Sequence, residues 1–327
     1  MTAQIDGDGV RLRAQRPGDP PPRPAAADCW TIADPATDAA LGVIALDRDV
    51  VDFEVLPAAR RRGVATAAVR ALGDWAFRAG RGRLEILAEW ENTAAQRVAL
   101  AAGYQREGVR RGAGDGVDLL PFGRLAGDPP GPTPRLLPDL PGGELTDGVV
   151  TLRPLGPDDI DFYTELHGVP DVIATSVPPE QPSPAEVRRR CLTAEAQWLA
   201  GARADLVIVD TATGAATGGM GVFYQEPQTG QAMIGYSQLP RWRGRGYTTR
   251  AAQLVSLWVF AETAIARLIA GTMPTNLGSQ RVLEKAGFRR EGYLRSRLPG
   301  LDGKRIDDVQ FVLLPEDVLA KAADAQG

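Results

Sequence analysis

Two stretches of the chain repeat one another in register, and a duplication restricts the fold more than any composition does. Residues 51–77 align without gaps on 234–260 at an offset of 183, with 9 of 27 positions identical. Residues 84–108 align on 268–292 at an offset of 184, with 10 of 25 identical. Two copies of one domain are therefore expected, separated by the Pro/Gly-rich stretch "AGDPPGPTPRLLPDLPGGELTDG" at 126–148. Such a stretch suits neither a helix nor a central strand and reads as a semi-rigid linker. We expect a first domain at 1–127, a linker at 128–147 with the boundary near 140, and a second domain at 148–327.

Each copy opens on a short strand, "GVRLR" at 9–13 and "VVTLR" at 149–153. From Arg13 to Val51 is 38 residues, whereas Arg153 to Ile234 is 81, so the first copy is 43 residues shorter near its start. The second copy fills that space with "GPDDIDFYTELHGV", whose Pro and acidic residues suit a helix start, and with "SPAEVRRRCLTAEAQWLAGA". The latter carries Val187, Cys191, Ala194 and Trp198 at helical spacing and stops at Gly201. Arg188 to Arg190 read as its solvated face. The first copy has "PGDPPPRPAAAD" instead, which forms no helix, and then the hairpin strands "CWTIAD" and "LGVIALD". Thereafter both copies read strand, glycine turn, helix, strand, helix, strand. The expected fold class is mixed α/β.

The glycine turns, "ARRRGVATAA" and "RWRGRGYTTRA", join a strand to a helix. Main-chain N–H groups at such a junction point outward and the helix dipole favours an anion. Gly246 keeps a Cβ out of the way of a pyrophosphate, and Arg243 and Arg245 add charge. Both turns are followed about 30 residues later by an asparagine, Asn92 or Asn276, ahead of a helix ending "AGY" or "AGF".

Taken together, "MIGY", "PRWRGRGYTTRA" and "NLGSQRVLEKAGF" resemble the GCN5-related N-acetyltransferase (GNAT) family, and within it the RimJ/RimL-like branch that acetylates ribosomal-protein N-termini. The resemblance covers nearly all of 149–315 and about 28–126. It implies tandem GNAT domains, each a mixed, mostly antiparallel sheet flanked by helices, and acetyl-CoA as co-substrate without a metal. The pantetheine arm would lie along Gln238 and Leu239, and the pyrophosphate on Arg243, Gly244, Arg245, Gly246, Tyr247 and Thr248. Asn276 would contact the arm, and Ser279 would face the leaving thiolate. In the first copy the same tract is Arg60, Arg61, Arg62, Gly63, Val64, Ala65 and Asn92. A positioned hydroxyl can supply the proton a thiolate needs, a strand N–H at 235–238 can stabilise an oxyanion, and Ser279 also suits a helix cap or first turn.

Three departures stand against the family pattern. Met233 occupies the place of the branch's glutamate, which leaves Glu165 and His167 on the first helix, or solvent, as the proton acceptor. Thr248 closes the second turn where Ala or Gly is usual, so Arg60–Ala65 is the better-formed motif. In the first copy Ala95 replaces Ser279, and Ala99 stands where other branches place a tyrosine that acts as the acid. That copy is expected to bind CoA weakly or not at all and to have a structural role.

Other chemistries fit poorly. One histidine and two cysteines exclude a multi-histidine metal site and a disulfide framework. A net charge of −4 gives no general pull toward nucleic acid. No apolar run nears the ~20 residues of a membrane span, and the N-terminus lacks a signal-peptide core, so a cytoplasmic protein is expected. The partner is a primary amine, either a small molecule or a protein N-terminus. A non-catalytic acyl-CoA-binding or scaffold protein, and an enzyme using another acyl-CoA, stand as alternatives.

Overall fold

The computed structural model describes residues 4–21 and 28–318. The chain divides into two compact units, the first ending at Pro134 and the second beginning at Arg135. Part of the proline-rich stretch expected to form no helix, 22–27, lies outside the described residues.

The first unit runs β1 (Ile5–Gly7), β2 (Val10–Arg13), β3 (Asp28–Ala33), β4 (Ala40–Asp47), β5 (Val50–Val55), α1 (Val64–Arg78), β6 (Arg83–Glu89), α2 (Thr93–Ala101), β7 (Gln105–Arg106), β8 (Arg110–Gly114) and β9 (Val117–Leu125). Its strands form one sheet in the order β1-β2-β3-β4-β5-β6-β9-β7, with β8 on β9. The second unit runs β10 (Leu145–Thr146), β11 (Val150–Pro154), α3 (Ile160–His167), α4 (Pro170–Thr175), α5 (Pro184–Leu199), β12 (Arg203–Asp210), β13 (Ala216–Glu226), β14 (Gln231–Gln238), α6 (Tyr247–Glu262), β15 (Arg267–Thr272), α7 (Leu277–Ala286), β16 (Arg289–Pro299) and β17 (Arg305–Leu313). Its sheet has the matching order β10-β11-β12-β13-β14-β15-β17-β16. Each sheet is antiparallel except where the strand before the glycine turn meets the strand after the helix. Helices α3, α4 and α5 have no counterpart between β2 and β3 among the described residues.

Local chemistry sets these elements. Ser183 caps α5 through a reciprocal box with Glu186, Pro184 occupies the first turn, and Gly201 at φ 72° ends it. Strand β12 is buried along "ADLVIVD" because helices cover both faces of the sheet. One core packs α6 and α7 on β11–β15 and β17; another packs α3–α5 on Val207 and Val209.

Two expectations need correction. The linker residues are not a spacer: Leu137 and Leu140 are buried in the second unit's core, and Trp198 Nε1 donates to Pro138 O at 3.0 Å. Proline density forbids helix but leaves apolar side chains free to pack. Arg190 does not stay on the solvated face of α5 with Arg188 and Arg189; its Nη2 donates to buried Asp205 at 2.9 Å.

Candidate functional site

The two strands flanking the glycine turn hold together only briefly. In the second unit the parallel ladder pairs Gln231–Met233 with Arg267–Ile269, and beyond it β14 and β15 part. In the first unit the corresponding pairing is Val50 with Glu85. Along β14, Leu239 N–H bonds Thr217 O at 3.0 Å, so alternation turns the N–H groups of Tyr236 and Gln238, beyond the last pairing with β15, toward the opening. Leu239 itself is therefore unsuited to the role expected of it. Its N–H is taken, its carbonyl accepts from Trp242 N–H at 2.9 Å, and its side chain is buried.

The strand ends in a 3₁₀ turn, Pro240–Trp242, followed by Gly244 at φ 76° and Gly246 at φ 79°, the latter capping α6. Arg243 N–H is held by Pro240 O at 3.2 Å, so the outward donors begin at Gly244, not at Arg243 as the motif suggests. From Gly244 through Thr248, no main-chain acceptor takes these N–H groups among the described residues. Arg243 Nε instead ties the turn to Gln238 O at 3.2 Å, and its Nη1 reaches Asp171 at 2.8 Å. Arg245 lies over Trp242, with its guanidinium carbon 4.6 Å from the ring centre. Tyr247 donates to Asp210 at 2.6 Å, and Thr248 Oγ1 to Gln238 Oε1 at 3.1 Å. Gln238 Nε2 is buried without a partner, which leaves one donor at the foot of the turn for a ligand.

The first turn has the same path. Gly63 caps α1 at φ 78°, Arg60 N–H bonds Pro57 O, and Arg60 Nε bonds Val55 O at 3.1 Å. Here, though, Arg61 takes the left-handed conformation, at φ 59°, where the second turn has Gly244. The better motif by letters thus carries the more strained backbone. Arg62 is exposed, Val64 buried and Ala65 half-buried.

Asn276 is the cap of α7: its side chain accepts from Ser279 N–H at 3.1 Å, and Asn92 does the same for Ala95. Ser279 is thus a first-turn residue two positions inside the helix. Its hydroxyl meets Tyr236 OH at 2.9 Å, and the same phenol reaches Ser279 O at 3.2 Å. Burial pushes the Tyr236 phenol up to about 12, so it stays protonated at neutral pH. Sequence reading missed Tyr236; the family-like "GY" was the only trace of it.

The two candidate bases are placed otherwise than a base should be. Glu165 is ion-paired with Arg241, whose Nη2 stands 3.2 Å away, and this hydrogen bond holds its carboxyl below the ordinary range. His167 packs on Tyr163; burial, with Arg190 second, pushes its pKa down to about 4. Met233 pairs across the sheet with Phe223.

Residues 19–105 and 150–289 each match the acetyltransferase (GNAT) domain family, together more than half the chain. The chain belongs to the GNAT family. It is 44% identical over 87 residues to "Probable N-acetyltransferase YjcK" of Bacillus subtilis (strain 168), which is 26% of this chain and 48% of that protein. It is 32% identical over 96 residues to "Uncharacterized N-acetyltransferase YnaD" of the same organism, 29% of this chain and 56% of that protein. The chain thus spans about half the length of these relatives. Among solved structures, Mycobacterium smegmatis RimJ in complex with CoA-disulfide matches with a TM-score of 0.49 at 22% identity, over 56% of this chain and 93% of that one.

Within this tandem GNAT chain the copies differ also at the opening between the parted strands. Phe53 stands for Tyr236, Ala95 for Ser279 and Val55 for Gln238. The hydroxyl pair and the orphan amide of the second copy have no equivalents in the first.

Proposed function

We propose that the second unit transfers acetyl from acetyl-CoA to a primary amine, and that the first performs no chemistry. One observation carries the assignment: the Ser279–Tyr236 hydroxyl pair stands at the opening between β14 and β15. The residues present fit the co-substrate. The N–H groups of Gly244 to Thr248 and the orphan Gln238 Nε2 offer donors to a pyrophosphate and its arm. The Tyr236 and Gln238 main-chain N–H groups face the opening and are placed to receive the thioester oxygen. Ser279 supplies a proton to the departing sulfur while Tyr236 fixes the direction of its hydroxyl. The acceptor is a small-molecule amine or a protein N-terminus.

Thiol release from acetyl-CoA across a panel of amines tests the reading, with Gly246→Val as the control. A β-branched residue at φ 79° is strained and puts its side chain where the cofactor would lie. We expect amine-dependent release by the wild type and its loss with Gly246→Val. Tight CoA binding without release on any amine refutes the assignment and favours a binding protein. In the first unit, the Phe53, Ala95 and Val55 replacements support a structural role.

A further inference from the structure

Asp308 lies on β17, where Val309, Phe311 and Leu313 alternate into the core beneath α6 and α7. Alternation places Asp308 and Gln310 on the opposite face of the sheet. The residue is 2% exposed, yet its Oδ1 accepts no hydrogen bond, and Arg297 Nε stands 3.5 Å from Oδ2. A carboxylate buried with so few partners works against the fold unless it serves a purpose.

Its position suggests the purpose. A Cβ on Gly271 would stand 2.7 Å from Oδ1 and 2.8 Å from Oδ2, so the carboxylate fills the space beside a missing side chain. Gly271 is exposed and lies two residues beyond Ile269, the last residue of β15 paired with β14. The carboxylate therefore stands beside the part of β15 that has left β14, on the sheet face opposite the one where α7 carries Ser279. The first copy provides an internal comparison. By sheet register its residues at these places are Leu87 for Gly271 and Leu119 for Asp308. Both are apolar side chains where the second copy has a glycine and a carboxylate.

We infer that Asp308 is the proton acceptor for the amine, a role that rests on the acetyltransferase reading above. The ammonium of the acceptor gives one proton, relayed by water because the carboxylate is buried, to Asp308, and the freed nitrogen lone pair attacks the thioester carbon, forming the C–N bond. As the adduct collapses the C–S bond breaks, and the sulfur leaves with its electron pair and takes the Ser279 proton. The second amine proton passes to water, which reprotonates Ser279, and Asp308 returns its proton to solvent. Burial raises the Asp308 pKa, while Arg297 on β16 and the Thr272 main-chain N–H on β15 oppose the rise. A carboxylate above its ordinary range is the better acceptor near neutral pH.

The test compares full-length wild type with Asp308→Asn on two amines, an alkylamine of pKa about 10 and methoxyamine, which is already neutral in the assay. At pH 7 we expect kcat/KM for the alkylamine to fall about 100-fold, with methoxyamine little affected and CoA binding intact. An equal loss on both amines, or no loss, overturns the role of Asp308 and leaves the transferase reading standing. Wild type that releases no thiol with either amine overturns both. Should Asp308→Asn fail to fold, Arg297→Met keeps the apolar stem and removes the opposing charge. The acidic limb of the alkylamine profile then moves to higher pH, and an unmoved limb refutes the assignment.

Discussion

Replacing Ser279 by alanine removes a hydroxyl but leaves the main-chain carbonyl of residue 279 in place, which makes two consequences separable. Tyr236 OH reaches both Ser279 Oγ at 2.9 Å and Ser279 O at 3.2 Å. In Ser279→Ala the buried phenol keeps its carbonyl acceptor, so the fold loses one neutral hydrogen bond, about 0.5–1.5 kcal/mol. The rate loses the donor that faces the leaving sulfur, a drop of about 100-fold or about 2.7 kcal/mol in the barrier. Tyr236→Phe inverts the balance. It deletes both hydrogen bonds and leaves the serine hydroxyl without its guide, so stability falls by about 1–2 kcal/mol. The serine remains, and the rate falls only about tenfold. Thermal unfolding reads the first quantity and thiol release from acetyl-CoA the second. The double mutant should be less impaired than the sum of the two, since the residues share a contact. If Ser279→Ala keeps the wild-type rate, or slows no more than Tyr236→Phe, Ser279 is not the proton donor.

His167 has its pKa pushed down from 6.5 to about 4, by burial first and Arg190 second. The native state thus binds a proton less readily than the unfolded chain, and the histidine's contribution is complete above about pH 6.5 and lost as pH falls through about 4. His167→Phe should flatten the fall of melting temperature over that window; an unchanged slope would remove His167 from the acid response. Arg61→Gly relieves a left-handed non-glycine residue and should stabilise the first unit by up to about 1 kcal/mol, while Gly244→Ala destabilises the second by a similar amount. Opposite signs in thermal unfolding would mean that Arg61 is held there by contacts worth more than its strain. Asn92→Ala and Asn276→Ala each remove a helix cap, about 1 kcal/mol apiece, yet only Asn276→Ala should slow acetyl transfer. Equal effects on rate would place chemistry in both copies.

Features written in local runs of residues are legible in the amino-acid sequence by itself. The register of the repeat gives the matching strand orders, and Gly63 and Gly246 mark helix starts that need positive φ. Pro184, Glu186 and Gly201 mark the limits of α5. What stays hidden depends on strands that meet only in the sheet. Tyr236 and Ser279 are 43 residues apart and touch because β14 and α7 flank one opening. Asp308 reaches Gly271 only through the pairing of β15 with β17. The packing of Leu137 and Leu140 is masked by the prolines around them, which constrain the backbone and say nothing about where an apolar side chain goes.

The pattern of what the copies share and what they do not follows from the energetics of buried polar groups. Both retain the bidentate arginine clamp at their start, Arg13 with Asp19 and Arg153 with Asp159. Both keep the arginine–glutamate pairs Arg83–Glu107 and Arg267–Glu291, and the glutamine braces Gln96 and Gln280 on the carbonyls before the second helix. Losing a clamp arginine leaves a buried aspartate unsatisfied, at about 1–3 kcal/mol, while the exposed arginine–glutamate pairs are worth about 0–1 kcal/mol each. The cleft groups behave differently, because both sides can be replaced together. Phe53 with Ala95 removes both hydroxyls together, and Leu119 with Leu87 removes the carboxylate together with the gap beside it, so no orphan is left. Such double replacement is close to neutral or stabilising. The polar cleft of the second copy, with its orphan Asp308 oxygen and Gln238 nitrogen, is the arrangement that stability alone does not favour. Restoring tyrosine and serine in the first copy should therefore lower its stability, and without a carboxylate at position 119 should not give it the second copy's rate.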